Sequence, residues 1–395
     1  MDFAAFLRQA NSLEDYLRRW RRDFHMHPEL GFQEHRSSEI IAAALKGWGY
    51  EVRQGIAETG VLGYLEGGQE GRTIMLRLDM DALPIQEDSN VAYASKHEGI
   101  MHACGHDGHM AIGLGVAKLL ADSHDSIPGH LLLVFQPAEE GLGGAERMLA
   151  ERALQIWPPE RALGLHLWNE KPVGWLGLTP GPVMAGADRL EIILQGQGGH
   201  AAMPHKTRDP IPAAAQVIAG LQSIVARNVD PLASAVLTIG VVQGGTAFNI
   251  IPERVRLEGT VRTFDAQTRE VVLRRAREMA LQQAEAFGCQ AEIEVEPITP
   301  PLVNDPEVTR LATEIARELF PDWILDPEFR VMGSEDMAFF LREVPGVYLF
   351  LGSSNPEKGL VSSHHTPTFD FDEQVLPAAT ALVASVATAL MNPEP

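Results

Sequence analysis

The chain has 395 residues, enough for more than one core, and its apolar and charged fractions, 45% and 22%, are those of an ordinary soluble globular protein. A formal charge of -21 argues against nucleic acid or an anionic membrane as partner. No apolar run is long enough to span a bilayer, residues 1–22 lack the apolar core of a secretory leader, and the two cysteines do not make a disulfide framework, so a cytoplasmic setting is expected.

Residues 12–27 and 34–47 read as helices. Thr73-Ile-Met-Leu-Arg-Leu-Asp79 and His130-Leu-Leu-Leu-Val-Phe-Gln136 are short apolar runs with polar ends, the pattern of buried strands. A helix with an apolar face is expected from Gly108 to Leu120, and another buried strand over Arg161–Trp168. This alternation predicts an α/β domain with a largely parallel sheet. A Gly/Pro-rich link, Pro180–Gly186, then changes the pattern. Arg189–Gln195 reads as a strand and Asp209–Asn228 as a helix with prolines tolerated in its first turn. Ser234–Val242 and Glu253–Thr263 read as strands, Ala266–Gly288 as a long helix and Gln290–Val295 as a strand. The order β-α-β-β-α-β predicts a ferredoxin-like α+β module. The expected domains are a catalytic domain over 1–183 and 298–395, interrupted by a lid or dimerisation domain over 184–297.

Five segments carry potential ligands at strand ends or in turns, where α/β sheets place their sites. Met101-His-Ala-Cys-Gly-His-Asp-Gly-His109 puts Cys104 and His106 two apart, on one face if the backbone is extended. Gln136-Pro-Ala-Glu-Glu140 follows a buried strand, and adjacent carboxylates there point in different directions, one free to bind metal and the other to act as base. His166 lies inside an apolar strand, where a satisfied core histidine is the competing reading. Ser363-His-His-Thr-Pro367 offers a further histidine. Asp79 and Asp81 share a face by the period-two rule, with a turn cap as the alternative. Cys104, His106, one glutamate, His166 and a C-terminal histidine exceed what a single four-coordinate structural zinc needs. They suit two neighbouring cations sharing a ligand and leaving room for water, which is machinery for amide or ester hydrolysis. In the inserted module His200 follows glycines and can donate to an oxyanion, and Asn249 can contact substrate, with loop packing as the alternative for the latter.

Together these segments resemble the amidohydrolase branch of the aminoacylase/carboxypeptidase metallopeptidase family, which includes hippurate hydrolase, N-acyl-amino-acid deacylases and auxin-conjugate hydrolases. The resemblance covers nearly the whole chain, from His25-Met-His-Pro-Glu-Leu-Gly31 to residues 364–367. His-Ala-Cys-Gly-His-Asp107, Gln-Pro-Ala-Glu-Glu140, Gly-Leu-His-Leu-Trp168, Gly-Gly-His-Ala-Ala202 and Gly-Ser-Glu-Asp336 occur in family order. It implies a di-metal catalytic domain whose ligands are Cys104, His106, Glu140, His166 and His365, the last because it stands two before Pro367. It implies that Glu139 is the general base, Asp81 the aspartate that orients a ligand, and His200 the lid histidine that stabilises the tetrahedral intermediate, in many relatives from a partner subunit. Asn249 falls at a substrate-contact position. The carboxypeptidase branch carries histidine where Asp79 stands and aspartate in the bridging role of Cys104, and Gln197 replaces a frequent lysine. The expected reaction is hydrolysis of an N-acyl amino acid by a metal-bridging water. The expected cofactor is a pair of divalent ions, zinc first, with manganese, cobalt or nickel as alternatives. A small-molecule substrate and a homodimer or higher homo-oligomer are the expected partners.

Overall fold

A computed structural model describes residues 3–392, so the outermost positions of the expected domain spans, 1–2 and 393–395, lie outside it. The chain divides into two compact units: residues 1–181, 303–329 and 336–395 form the first, and residues 182–302 with 330–335 form the second. The second unit extends past the expected 184–297 and takes in Arg330–Glu335.

The first unit is built on an eight-stranded sheet in the order 51–56, 60–66, 128–136, 69–79, 161–172, 346–354, 175–177, 324–326. Its four central strands are mutually parallel, with Asp79 opposite Gln136 and His166 opposite Phe350. Two central strands therefore end side by side, at Asp79 and Gln136. Ile74, Leu76 and Leu78 join the main core with Leu131, Leu133 and Phe135, so the period of two turns Arg77 and Gln136 to the opposite face. The helix Val375–Met391 packs on the central strands and on the helix His106–Asp122. It is apolar on nearly every side because nearly all of it is buried. No helix among the described residues is long and apolar enough to cross a membrane.

Two details differ from the sequence expectation. The helix read over 12–27 is Glu14–Met26, preceded by a helix Phe3–Ser12 that the reading did not include, and the hairpin Glu51–Ile56/Gly60–Glu66 had no counterpart in the reading. The hairpin turn is irregular, with Ala57 and Glu58 both at positive φ, and lacks the Asn-Gly type of signal that marks a tight hairpin.

The second unit has a four-stranded antiparallel sheet, order 235–244, 254–263, 186–195, 290–299, covered by the helices Pro210–Asn228 and Ala266–Ala286. This is the ferredoxin-like arrangement. Asp209 and Asp265 start the two helices by accepting from Ile211 N–H and Thr268 N–H. Valine, leucine and isoleucine of the sheet pack against alanine-rich faces of both helices.

Candidate metal centre

Four groups of three donors gather in the first unit, each with its ligand atoms within 4.8 Å of one another: Asp79, His106 and His109 make one, Glu139 joins His106 and Glu140 in another, and the remaining two are Cys104, His106 and His166, and Cys104, Glu140 and His365. Cys104 is common to the last two. Its convergence with His106 does not come from extended backbone: Gly105 is left-handed at φ 88°, and the helix starts at His106, two residues before the expected Gly108. The turn folds the thiol back over the first helical turn. Glycine is needed at that φ.

His106 and His166 are each held by one ring nitrogen and turn the other toward the cluster. His106 Nδ1 lies 2.8 Å from the carbonyl of Asp81, and His166 Nδ1 lies 2.8 Å from the carbonyl of Leu167. Donation to these carbonyls fixes the tautomers and aims both Nε2 atoms at the cluster. His166 Nε2 is 3.5 Å from Cys104 Sγ. His106 Nε2 is buried with no hydrogen-bond partner. Such an atom is costly unless something satisfies it. His365, with φ 61°, is anchored by its N–H to the Ala103 carbonyl, and its Nε2 stands 3.1 Å from Glu140 Oε1. Its neighbour His364 instead sets Nε2 2.8 Å from the Leu167 carbonyl, and burial lowers its pKa to about 4. A thiol, three imidazoles and a carboxylate gathered around the unpartnered His106 Nε2 fit a pair of divalent cations.

The electrostatics agree. Burial, together with the charge of Glu140, pushes the Cys104 thiol well up. Burial opposes charge on His106, yet Asp79 and Cys104 beside it hold its pKa well above the ordinary value. Burial, helped by the neighbouring His109 and His364, pushes His166 well down, keeping it neutral. Such a cluster favours cations and must release protons to bind them.

His109 and Asp79 also approach His106, but neither is available as a ligand. His109 Nδ1 is 2.6 Å from Asp79 Oδ1, while its Nε2 accepts from Leu167 N–H at 2.9 Å, so both ring nitrogens are used. Asp79 also accepts from Arg77 at 2.8 Å, and Arg77 donates to Gln136 at 2.7 Å. Gln136 in turn donates to Asp336 at 2.9 Å. This buried chain ties three strands together beneath the site. Asp81 acts twice: its carbonyl takes His106, and its Oδ2 accepts the Glu140 N–H at 2.9 Å.

Glu139 and Glu140 diverge because of a turn rather than strand alternation. The strand stops at Gln136, and Ala138 is left-handed at φ 55°. A non-glycine residue held there costs roughly 1–3 kcal/mol, and such strain clusters at functional sites. Its N–H donates to Glu34 Oε1 at 2.9 Å, and its carbonyl accepts from Gly144 at 3.1 Å. Glu34 also accepts from the Thr59 hydroxyl at 2.5 Å, and burial raises its pKa to about 7. Glu139 Oε1 accepts from the Asp336 N–H at 3.3 Å.

In the second unit, His200 lies on a two-stranded ladder, Gly199–His200 against Ile250–Ile251, Asn249 stands just before it, and both are exposed. Ala202 N–H donates to His200 Nδ1 at 3.1 Å, which leaves Nε2–H as the outward donor of the neutral ring. The Asn249 carbonyl accepts from Ala201 N–H at 3.1 Å, leaving its side chain outside that ladder.

Sequence reasoning passed over Glu34, Arg77, His109, Gln136 and Asp336 as supports, and Arg21 with Asp107 behind the site. His109 and Asp107 stand in the same nine-residue motif as two proposed ligands, and Gln136 and Asp336 in two other motifs, whereas Glu34, Arg77 and Arg21 carried no such signal.

A shared thiol, paired donor sets and an adjacent carboxylate at the end of a parallel sheet define a metal-dependent amide hydrolase working with two divalent ions. Residues 75–389 match Peptidase family M20/M25/M40, and the chain belongs to that family. It is 40% identical over 382 residues to an N-acetyl-L-cysteine deacetylase of Bacillus subtilis, covering 97% of this chain and 90% of that protein. It is 40% identical over 377 residues to an IAA-amino acid hydrolase of Arabidopsis thaliana, covering 94% and 84%. Its fold matches the crystal structure of a Bacillus subtilis dinuclear metal binding peptidase from the M20 family at a TM-score of 0.85, with 35% identity over 96% of this chain and 99% of that one.

Proposed function

We propose that this enzyme hydrolyses N-acyl amino acids to a carboxylic acid and a free amino acid, with Glu139 as general base. The carrying observation is the pair of donor sets that share Cys104, with Glu139 beside Glu140 but tethered to Asp336 N–H. Cys104, His106, His166, Glu140 and His365 would hold the two cations, which when bound polarise the amide carbonyl and acidify water. Glu139 takes the proton of the attacking water and delivers it to the leaving nitrogen. Asp81 keeps His106 and Glu140 in register through its two contacts. His200 Nε2–H is the proposed donor to the oxyanion, and Asn249 the proposed substrate contact. Thiolate and imidazole ligands favour zinc, with manganese next and cobalt or nickel behind. Free buried cysteines accord with a cytoplasmic setting, and the ferredoxin-like unit, with its exposed edge strand 235–244, with a lid that also forms a homodimer.

The substrate class follows the named relatives, a deacetylase and an amino acid conjugate hydrolase. Glu139→Gln should keep two metal equivalents by elemental analysis while turnover of N-acetyl and N-benzoyl amino acids falls by roughly 10²–10⁴. Near-normal turnover in that variant refutes the base; faster cleavage of unblocked dipeptides than of blocked amino acids refutes the substrate class.

A further inference from the structure

The elbow between Gln136 and Glu139 decides where the two adjacent carboxylates point. Its geometry is unfavourable by itself, because Ala138 is left-handed without being glycine. Something outside the turn must hold it. The two main-chain N–H groups that flank Glu139 in the chain are each bound by a carboxylate: Ala138 N–H by Glu34 and Glu140 N–H by Asp81. Asp81 belongs to the site already described. Glu34 comes from 104 residues earlier in the chain and touches no proposed ligand.

Glu34 is fully buried, at 0% exposure. It faces no arginine or lysine, only the Thr59 hydroxyl, the Ala138 amide, its own backbone and the more distant charge of Asp81. Burying an acid with no cationic partner is unfavourable, and an apolar side chain would fill the same space more readily. The position of Glu34 is itself fixed. It stands just before the helix His35–Gly47, and its carbonyl accepts from Ser38 N–H. Gly31, three residues earlier, packs so closely that a Cβ there would stand 3.0 Å from Ala138 Cα and Cβ. The segment 31–34 thus presses on the elbow from outside and holds its N–H.

We propose that Glu34, with Thr59, is a positioning residue for the reaction: it clamps the left-handed Ala138 turn and thereby aims Glu139. This rests on Glu139 being the general base. Glu34 touches neither substrate nor metal, so its effect belongs in turnover and leaves substrate affinity alone.

The test uses the full chain loaded with zinc, and the same variants stripped of metal. Glu34→Ala should lower kcat about 100-fold, the scale at which a displacement near 1 Å acts, with KM within about threefold and two metal equivalents retained. Glu34→Gln should stay within about fivefold of wild type. Its amide oxygen still accepts from Ala138 and its amide nitrogen can donate to Thr59 Oγ1. In metal-free protein, amide exchange of a peptide covering 137–141 should quicken in Glu34→Ala and not in Glu34→Gln, with other regions unchanged. Glu34→Ala with kcat within threefold of wild type overturns the proposal. So does equal loss in the alanine and glutamine variants, or loss of metal in step with kcat. If Glu34→Ala does not fold, Thr59→Val carries the test: reduced kcat at unchanged KM supports the clamp, and unchanged kcat overturns it. Glu139→Gln run in parallel separates the two readings. An active Glu139→Gln removes the base, whereas an inactive one beside an active Glu34→Ala removes only the clamp.

Discussion

Arg21 is the most exacting test of how the scaffold behind the site is held. Its guanidinium has 0% exposure and sits among three carboxylates: Asp107 at 2.9 Å, Asp370 at 2.6 Å and Glu373 at 3.4 Å. Its flat faces lie 4.4 Å from the Phe371 ring centroid and 4.8 Å from that of Tyr93. Asp107 is equally buried and otherwise hydrogen-bonds His25 Nδ1, at 2.7 Å, and the Gly108 N–H, at 2.9 Å. Replacing Arg21 by methionine keeps much of the volume and takes the guanidinium from Asp107 and Asp370, leaving Asp107 with His25 and Gly108 N–H and Asp370 with the Tyr93 hydroxyl and Phe371 N–H. Removing one partner of a buried pair costs about 3–5 kcal/mol, and the two bonds each carboxylate keeps argue for the lower half of that range. Arg22 provides the control. It bonds Glu373 at 2.7 Å but is 41% exposed, so Arg22→Met should cost less than about 1 kcal/mol. Guanidinium unfolding of metal-free protein, followed by tryptophan fluorescence, reads both. Burial opposes ionisation of Asp107, but Arg21 and His25 hold its pKa far below the ordinary value. A depressed carboxylate contributes stability above its unfolded pKa and loses it as pH falls, so the deficit of Arg21→Met should shrink in acid, where Asp107 can take a proton. A loss under about 1 kcal/mol for Arg21→Met, or one no larger than that of Arg22→Met, refutes the reasoning.

Two further outcomes follow from the same geometry. His365→Ala should lose one of two metal equivalents in elemental analysis, whereas His364→Gln, altering a ring committed to the Leu167 carbonyl, should retain both; retention of both by His365→Ala would remove it from the ligand set. Glu34 supplies a pH dependence of opposite sign to that of Asp107. Burial raises its pKa from 4.5 to about 7, so between those values the folded state holds a proton that the unfolded state has lost, and stability falls as pH rises. At 1.36 kcal/mol per pKa unit the full effect is about 3 kcal/mol, and Glu34→Gln should abolish it. Denaturation midpoints at pH 5 and pH 8 for both proteins measure the difference, and parallel changes would show that Glu34 does not titrate in this range.

The proposed ligands, which the structure brings together, lie in short local signals: a Cys-Gly-His turn, a Glu-Glu pair after an apolar strand, a histidine pair before a proline. The supports were not legible, because nothing in the sequence joins Glu34 to Ala138 or Arg21 to Asp107, 86 residues apart. A glutamate just before an amphipathic run reads as a helix-start acid, yet the Glu34 side chain makes no cap and turns inward. Period-two reasoning put Cys104 and His106 together for the wrong cause, since a left-handed glycine and a helix start bring them together instead. The alternation that described Glu139 and Glu140 failed likewise, because the strand had already ended at Gln136. Strand and helix periods describe regular backbone, and apart from His166, which lies within its strand, the site groups sit where it starts or stops.

That placement has a consequence for which substitutions the site tolerates. The two buried ligand imidazoles are oriented by main-chain carbonyls, those of Asp81 and Leu167, and Glu140 by its own N–H on Asp81. Leu167 lies on the strand that pairs with 346–354, and Asp81 two residues past the strand that pairs with 128–136. Donor spacing is therefore set by strand register more than by the side chains packed around it. Register in a sheet buried on both faces resists single core substitutions, since a slip of one residue would turn every strand side chain to the wrong face. Core changes that keep the register should lower stability while leaving metal stoichiometry intact. Changes at the elbow or at Gly105, where no ladder fixes the backbone, should do the reverse.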